Sequence, residues 1–231
     1  MATTNGKRYR ALAEKVDSKK LHSLEEAIAV VKSSANAKFD ETVDVTVILG
    51  IDARKGDQQV RGTITLPHGT GKTPKVAVIA KGENANAATA AGADIVGAEE
   101  LIEQIEKDEV TFDVLLATPD MMRLLARLGK KLGPRMPNAK SGTVGPNIGQ
   151  IVSDRKKGQI EYRNEPKAGV VHSIIGKASF ESSALNENAA ALISALNKAK
   201  PSSSKGTYLK AVTLSSTMGP GVKVDVSALR I

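Results

Sequence analysis

Apolar and polar positions alternate one by one in two early stretches, residues 42–49 (TVDVTVIL) and 60–66 (VRGTITL). Period-two alternation sends every second side chain to one face, which predicts two half-buried strands. Ahead of them the period lengthens. Residues 7–16 are basic and helix-periodic. Ser23, followed three residues later by Glu26, makes a capping box that starts a second helix through Ala27, Ile28, Val30 and Val31. The loop between the strands, Asp52 to Asp57, has turn chemistry.

From residue 75 the pattern changes. Short continuous apolar runs at 75–80, 94–96 and 113–117 alternate with helical stretches at 85–91 and 98–107. Thr118 with Pro119 behind it predicts a capped third helix through Met121, Leu124, Leu125 and Leu128. Apolar strands alternating with helices indicate a parallel, three-layer α/β unit. After Gln159 the first style returns: strands at 160–163 and 170–175, a long helix at 185–199 stopped by Pro201, and a closing strand at 207–214. The outer segments match each other and the middle does not, so the middle reads as an inserted domain. Its two crossings fall at Leu66-Pro67-His68-Gly69 and Lys156-Lys157-Gly158, which makes Pro67, His68, Gly69 and Gly158 the expected hinge. No internal repeat is present.

Charge sharpens this picture. The 231 residues carry a formal net charge of +8, which favours a polyanionic partner. Within the middle segment, residues 75–122 hold three basic and ten acidic side chains, whereas 123–157 hold nine basic and one acidic. One end should be anionic and the other cationic, either as two solvated faces or with the cationic end toward RNA. With no cysteine, disulfides and thiolate metal sites are excluded, and His22, His68 and His172 are too scattered to suggest a metal cluster. His172, on an alternating strand, reads as structural. No Trp and only three Phe and three Tyr leave little for base stacking, so folded RNA would be read by shape and backbone. No apolar run has the features of a signal peptide or a membrane span, and a cytoplasmic location is expected. Gly69-Thr70-Gly71-Lys72-Thr73 looks like the tail of a phosphate loop, but Leu66 stands where the loop needs glycine and a strand follows instead of a helix. No dinucleotide fingerprint follows any strand, so no cofactor is expected.

Four motifs remain: Lys38-Phe39-Asp40-Glu41-Thr42, Leu66 to Lys72, Gly176-Lys177-Ala178-Ser179-Phe180, and Ser215-Ser216-Thr217-Met218-Gly219-Pro220-Gly221. Taken singly they allow plain readings, Phe39 as a core residue and Thr217 to Gly221 as a strand-to-turn exit. Together and in this order, from Gly6 to Gly221, they resemble the L-one family of large-subunit ribosomal proteins. That resemblance implies a discontinuous α+β RNA-binding domain, residues 1–66 plus 159–231. Into it is inserted a Rossmann-like α/β domain, residues 67–158, so the fold class is α/β. It implies that Phe39 packs on RNA, that Lys38 meets phosphate, and that Thr42 and the neighbouring acidic residue fix the local geometry. Glu41, which repels phosphate, would accept from a 2′-hydroxyl or a base amino group. Thr217, Met218 and Gly219 match the family's RNA-contact triplet, with Lys177 and Ser179 as additional contacts. The implied partners are large-subunit ribosomal RNA, tRNA leaving the exit site, and the protein's own operon messenger, whose translation it would repress. Off the ribosome it would be a monomer.

The loop Leu132-Gly133-Pro134-Arg135-Met136-Pro137-Asn138-Ala139-Lys140 is two residues shorter than the family's pattern and lacks one of its prolines. Two other classes stay open from the residues alone. One is an α/β enzyme for an anionic substrate, for which no nucleophile elbow or phosphate loop is present. The other is an interaction adaptor using the long helix, whose Ala189, Leu192, Ile193 and Leu196 equally suit a core.

Overall fold

The computed structural model describes residues 6–14, 16–17 and 20–227. Residues 1–5 and 228–231, and Lys15 within the expected first helix, lie outside the described residues. In chain order, helices α1 (Lys7–Ala13) and α2 (Leu24–Ser34) precede strands β1 (Thr42–Leu49) and β2 (Arg61–Thr65). Then come β3 (Val76–Ile79), α3 (Glu83–Ala90), β4 (Ile95–Gly97), α4 (Glu99–Glu106) and β5 (Val114–Ala117). Short helices α5 (Met122–Leu125) and α6 (Gly129–Leu132) lead to α7 (Ile148–Lys156) and β6 (Gln159–Arg163). The chain closes with β7 (Val170–Lys177), α8 (Ser182–Lys198), β8 (Leu209–Ser216) and β9 (Val222–Val224).

Two compact units result, one from residues up to Gly71 plus Ile160 onward, the other from Lys72 to Gln159. The first is built on a four-stranded sheet in the order β7-β1-β8-β9, with every pairing antiparallel. In β1 the apolar positions Val43, Val45, Val47 and Leu49 are all buried, as the alternation requires. They meet Ala27, Ile28 and Val31 of α2 and Leu185, Ala189, Leu192, Ile193 and Leu196 of α8 in one core. The opposite positions, Thr42, Asp44, Thr46 and Ile48, stay half-buried or exposed. Ser23 caps α2 as expected, its hydroxyl accepting from the Glu26 N–H while Glu26 accepts from the Ser23 N–H. A bulge between Val43 and Asp44 shifts the β1–β7 register beside the end of the sheet where the candidate site lies.

The second unit holds a parallel sheet in the order β4-β3-β5. Val76 to Ile79 are buried on both faces, which explains the unbroken apolar run. Ala77, Ile79 and Leu115 pack on Leu101 and Ile105 of α4, and Val76, Val78 and Leu116 on Ala88, Ile148 and Val152 of α3 and α7. Sheet and two helical layers make three.

Several expectations differ from this structure. The units divide at Gly71/Lys72 and Gln159/Ile160 rather than after Leu66 and Gly158. At the first crossing, Asn188 of α8 holds the chain. Its Oδ1 accepts from the His68 N–H (3.0 Å), while its Nδ2 donates to the Gly69 and Ile175 carbonyls (3.0 and 2.8 Å). With His68 Nε2 also 2.7 Å from Glu187, His68 and Gly69 are tied to the first unit and are not a loose crossing. The single helix expected after Thr118 is broken into 3-10 and α turns, and the Thr118 side chain makes no capping bond. Met121 N–H closes an i→i−3 bond to the Thr118 carbonyl instead. The spacing of Met121, Leu125, Leu128 and Leu132 still buries one stripe, so the face was legible where the helix type was not. Helix α7 and strand β9 carry no expectation at all. The expected charge separation is also softened, because Lys131 pairs with Asp108 (2.7 Å) and Lys156 with Asp94 (3.2 Å). In the shortened loop, Asn138 caps a 3-10 turn by accepting from the Lys140 N–H. Among the described residues no helix is long and apolar enough to cross a membrane.

Candidate RNA interface

β1 and β8 run antiparallel, so the residues before Thr42 and after Ser216 leave the sheet side by side. The pairing continues one step beyond the strands: the Thr217 N–H donates to the Thr42 carbonyl at 3.0 Å. The Thr217 hydroxyl accepts the Thr42 N–H (2.9 Å) and donates to the Thr42 carbonyl (3.2 Å). Segments 175 residues apart in sequence are thus brought into one surface.

Beneath that surface sits Glu41, only 1% exposed. Its Oε1 accepts from the Ala37 N–H at 2.9 Å and its Oε2 from the Met218 N–H at 3.0 Å. The buried Ser216 hydroxyl lies near enough to favour the charged carboxylate without completing a regular hydrogen bond. Burial alone pushes the Glu41 carboxyl up. The bonds from Ala37 and Met218, the nearby Ser216 hydroxyl and the charge of Arg8 together outweigh burial and hold it below the ordinary glutamate value. Glu41 therefore cannot be the RNA acceptor expected from the sequence. It is a staple joining the loop before β1 to the turn after β8.

Two large apolar side chains stand outward from this frame, Phe39 at 55% and Met218 at 49% exposed. Phe39 is not a core residue. Lys38 and Thr217 are exposed with them. Gly219 closes the turn by donating its N–H to the Ser216 carbonyl (3.1 Å), and a Cβ there would overlap the Ser216 Oγ. Ser179 joins through Asp40, whose carboxylate accepts from its N–H (3.1 Å) and its hydroxyl (2.9 Å). Lys177 is more occupied than expected, since its Nζ donates to the Thr42 hydroxyl (2.9 Å) and the Asp40 carbonyl (3.2 Å). The Thr217 hydroxyl is likewise bound to Thr42, with one lone pair left.

The structure thus brings Lys38, Phe39, Glu41, Thr42, Lys177, Ser179, Thr217, Met218 and Gly219 together. Within the set, Glu41 and Thr42 are framework and Phe39, Met218 and Lys38 are surface. Pro67, His68 and Gly69 lie elsewhere in the same unit, and Gly158, with φ 92°, belongs to the second unit, close to its end at Gln159. Sequence reading gave no part to Arg8 or Asn36 and quoted Ser216 within its motif without a role, since their parts depend on distant partners with no local signal.

Residues 31–220 match the model of the Ribosomal protein L1p/L10e family. The Large ribosomal subunit protein uL1 of Methylobacillus flagellatus is 59% identical over 225 residues, covering 96% of this chain and 97% of its own. Its namesake from Vibrio atlanticus is 56% identical over 225 residues, covering 96% of each. That from Laribacter hongkongensis is 55% identical over 221 residues, covering 95% of this chain and 94% of its own. Matched over most of its length by the family and nearly end to end by these relatives, the chain belongs to the ribosomal protein L1p/L10e family.

Proposed function

We propose that this protein is a structural component of the large ribosomal subunit that binds large-subunit ribosomal RNA through the Phe39–Met218 face. Relatives over half identical across nearly the whole chain are named as large-subunit proteins, which supports the ribosomal assignment. One observation supports the placement of the site. Two exposed apolar side chains and a lysine stand on a turn-and-loop frame already fixed by a buried carboxylate. A frame ordered beforehand loses little conformational freedom on binding. Exposed apolar groups fit against ribose and base faces, while Lys38 displaces counterions from phosphate. With family membership, the role is architectural and not catalytic.

Three finer parts belong to the same reading. The RNA-bound protein forms the mobile stalk beside the exit site and assists departure of deacylated tRNA. The inserted unit, joined by chain crossings at Gly71–Lys72 and Gln159–Ile160, moves as a body about them. Released from the ribosome, the monomer binds its own operon messenger through the same face and represses its translation.

The absence of cysteine permits a clean test of the site. An iron chelate tethered at Ser33→Cys, on the exposed end of α2, is expected to cleave one compact region of deproteinised large-subunit RNA. A chelate at Glu103→Cys, on the exposed face of α4, provides the comparison. Cleavage from position 103 with none from position 33 would place the anchor on the inserted unit and refute the assignment. The messenger part is tested by competition. An operon RNA bound by the protein and not displaced by large-subunit RNA uses a different surface, contrary to the proposal.

A further inference from the structure

Helix α1 reaches the RNA face through one side chain. The Arg8 guanidinium donates from Nη1 to the Asn36 Oδ1 at 2.8 Å and from Nη2 to the Met218 carbonyl at 3.0 Å. Its two partners are 28 and 210 residues away in sequence. Asn36 begins the loop that presents Lys38 and Phe39, and Met218 is the tip of the opposing turn. The Met218 N–H is already held by Glu41. Both backbone polar groups of Met218 are therefore occupied, the amide from beneath by a carboxylate and the carbonyl from outside by a guanidinium.

We propose that Arg8 is a positioning residue for RNA recognition, its planar fork fixing the Met218 turn against the Asn36–Phe39 loop. The proposal rests on the reading of this face as the RNA site. The two acceptors are engaged by different nitrogens of one rigid plane, a geometry that the single ammonium of lysine does not reproduce. The charge has a second effect, since it helps keep Glu41 ionised and thus the Met218 N–H bound. Arg8 and Glu41 act as opposed staples on one residue. A different use of the same exposed side chain would be direct contact with an RNA phosphate, and the two uses predict different behaviour.

The test compares full-length wild type, Arg8→Lys, Arg8→Gln and Phe39→Ala for binding to large-subunit RNA at several salt concentrations. Positioning predicts that Arg8→Lys and Arg8→Gln both weaken binding by about tenfold, with an unchanged salt slope. Hydrogen exchange should quicken at the Met218 and Gly219 amides in both variants, while the β1–β8 amides stay protected. If Arg8→Lys binds like wild type and Arg8→Gln lowers the slope by about one, Arg8 contacts phosphate and the proposal is overturned. Loss of protection throughout the sheet would make it a folding residue, which also overturns it. Unchanged binding in both Arg8 variants, with loss in Phe39→Ala, removes the positioning role alone. Unchanged binding in all three removes the RNA-face reading beneath it.

Discussion

Replacing Glu41 by alanine is expected to weaken binding to large-subunit RNA by at least about 100-fold and to destabilise the protein by about 3 kcal/mol. The loss comes from what the carboxylate holds. Without it the Ala37 and Met218 N–H groups lose their acceptor in a site that is almost closed to water. Each unpaired buried donor costs roughly 1–3 kcal/mol, and both lie in segments that present the side chains of the proposed RNA face. Glu41→Gln should do less damage, because one amide oxygen can still accept while the NH2 faces a second donor. It also isolates the pH dependence. Because the folded carboxyl titrates below the ordinary value of 4.5, its stabilisation is complete above that value and fades as pH falls through the lower folded one. The stability gap between wild type and Glu41→Gln, followed by denaturant unfolding from neutral to acid pH, should therefore narrow on acidification. A gap that stays constant would show that Glu41 is not the ionised staple described.

Gly219→Ala is expected to weaken RNA binding on the order of 100-fold through a steric effect with a built-in rescue. The added methyl would overlap the Ser216 Oγ, with the Ser34 Cβ also only 3.7 Å away. Ser216 is buried and its hydroxyl lies beside Glu41, so it can yield only by turning away from the carboxylate or by opening the turn. The turn, closed by the Gly219 N–H to Ser216 carbonyl bond, carries Met218 at its tip, so opening it displaces Met218. Shortening the obstacle should relieve the strain: Ser216→Ala combined with Gly219→Ala is expected to recover most of the lost affinity, since the Ser216 Cβ itself is 3.6 Å away. A double variant no better than Gly219→Ala alone would mean that glycine is needed for direct approach of RNA to the backbone. Filter binding of wild type, Ser216→Ala, Gly219→Ala and the double variant to one RNA fragment separates these cases.

Elements whose periodicity is set by their own residues were legible in the sequence. β1 occupies residues 42–49 as the alternation predicts, and the buried runs of β3 and β5 fall where apolar residues are continuous. Helix α7 escaped because Gly149 weakens its helical signature and only Ile148, Val152 and Arg155 are buried along it. The site shows the same division. Phe39 and Met218 were identified through motifs, and both are exposed. A geometry-fixing acidic residue was implied by the resemblance, but a carboxylate between Asp40 and Thr42 gives no local sign that Glu41 is the buried one. Its burial follows from Met218, 177 positions later. Pro67 to Gly69 looked like a loose linker for a similar reason, since Asn188, which ties His68 and Gly69 down, is about 120 residues away. Arg8 belongs with these, a basic residue whose role is fixed by partners that no spacing rule connects.

The claim beneath all of this is that Phe39 and Met218 form the contact surface and that the buried network only supports it. Truncating both, as Phe39→Ala with Met218→Ala, removes surface without touching a framework hydrogen bond, because Met218 engages Glu41 and Arg8 through its backbone. The decisive measurement is the affinity of this double variant for large-subunit RNA across a salt series, alongside its unfolding midpoint. The account predicts unchanged stability, an unchanged salt slope, and binding weaker by at least about 100-fold, roughly 2.8 kcal/mol. An affinity within twofold of wild type, in a variant equally stable, would contradict it.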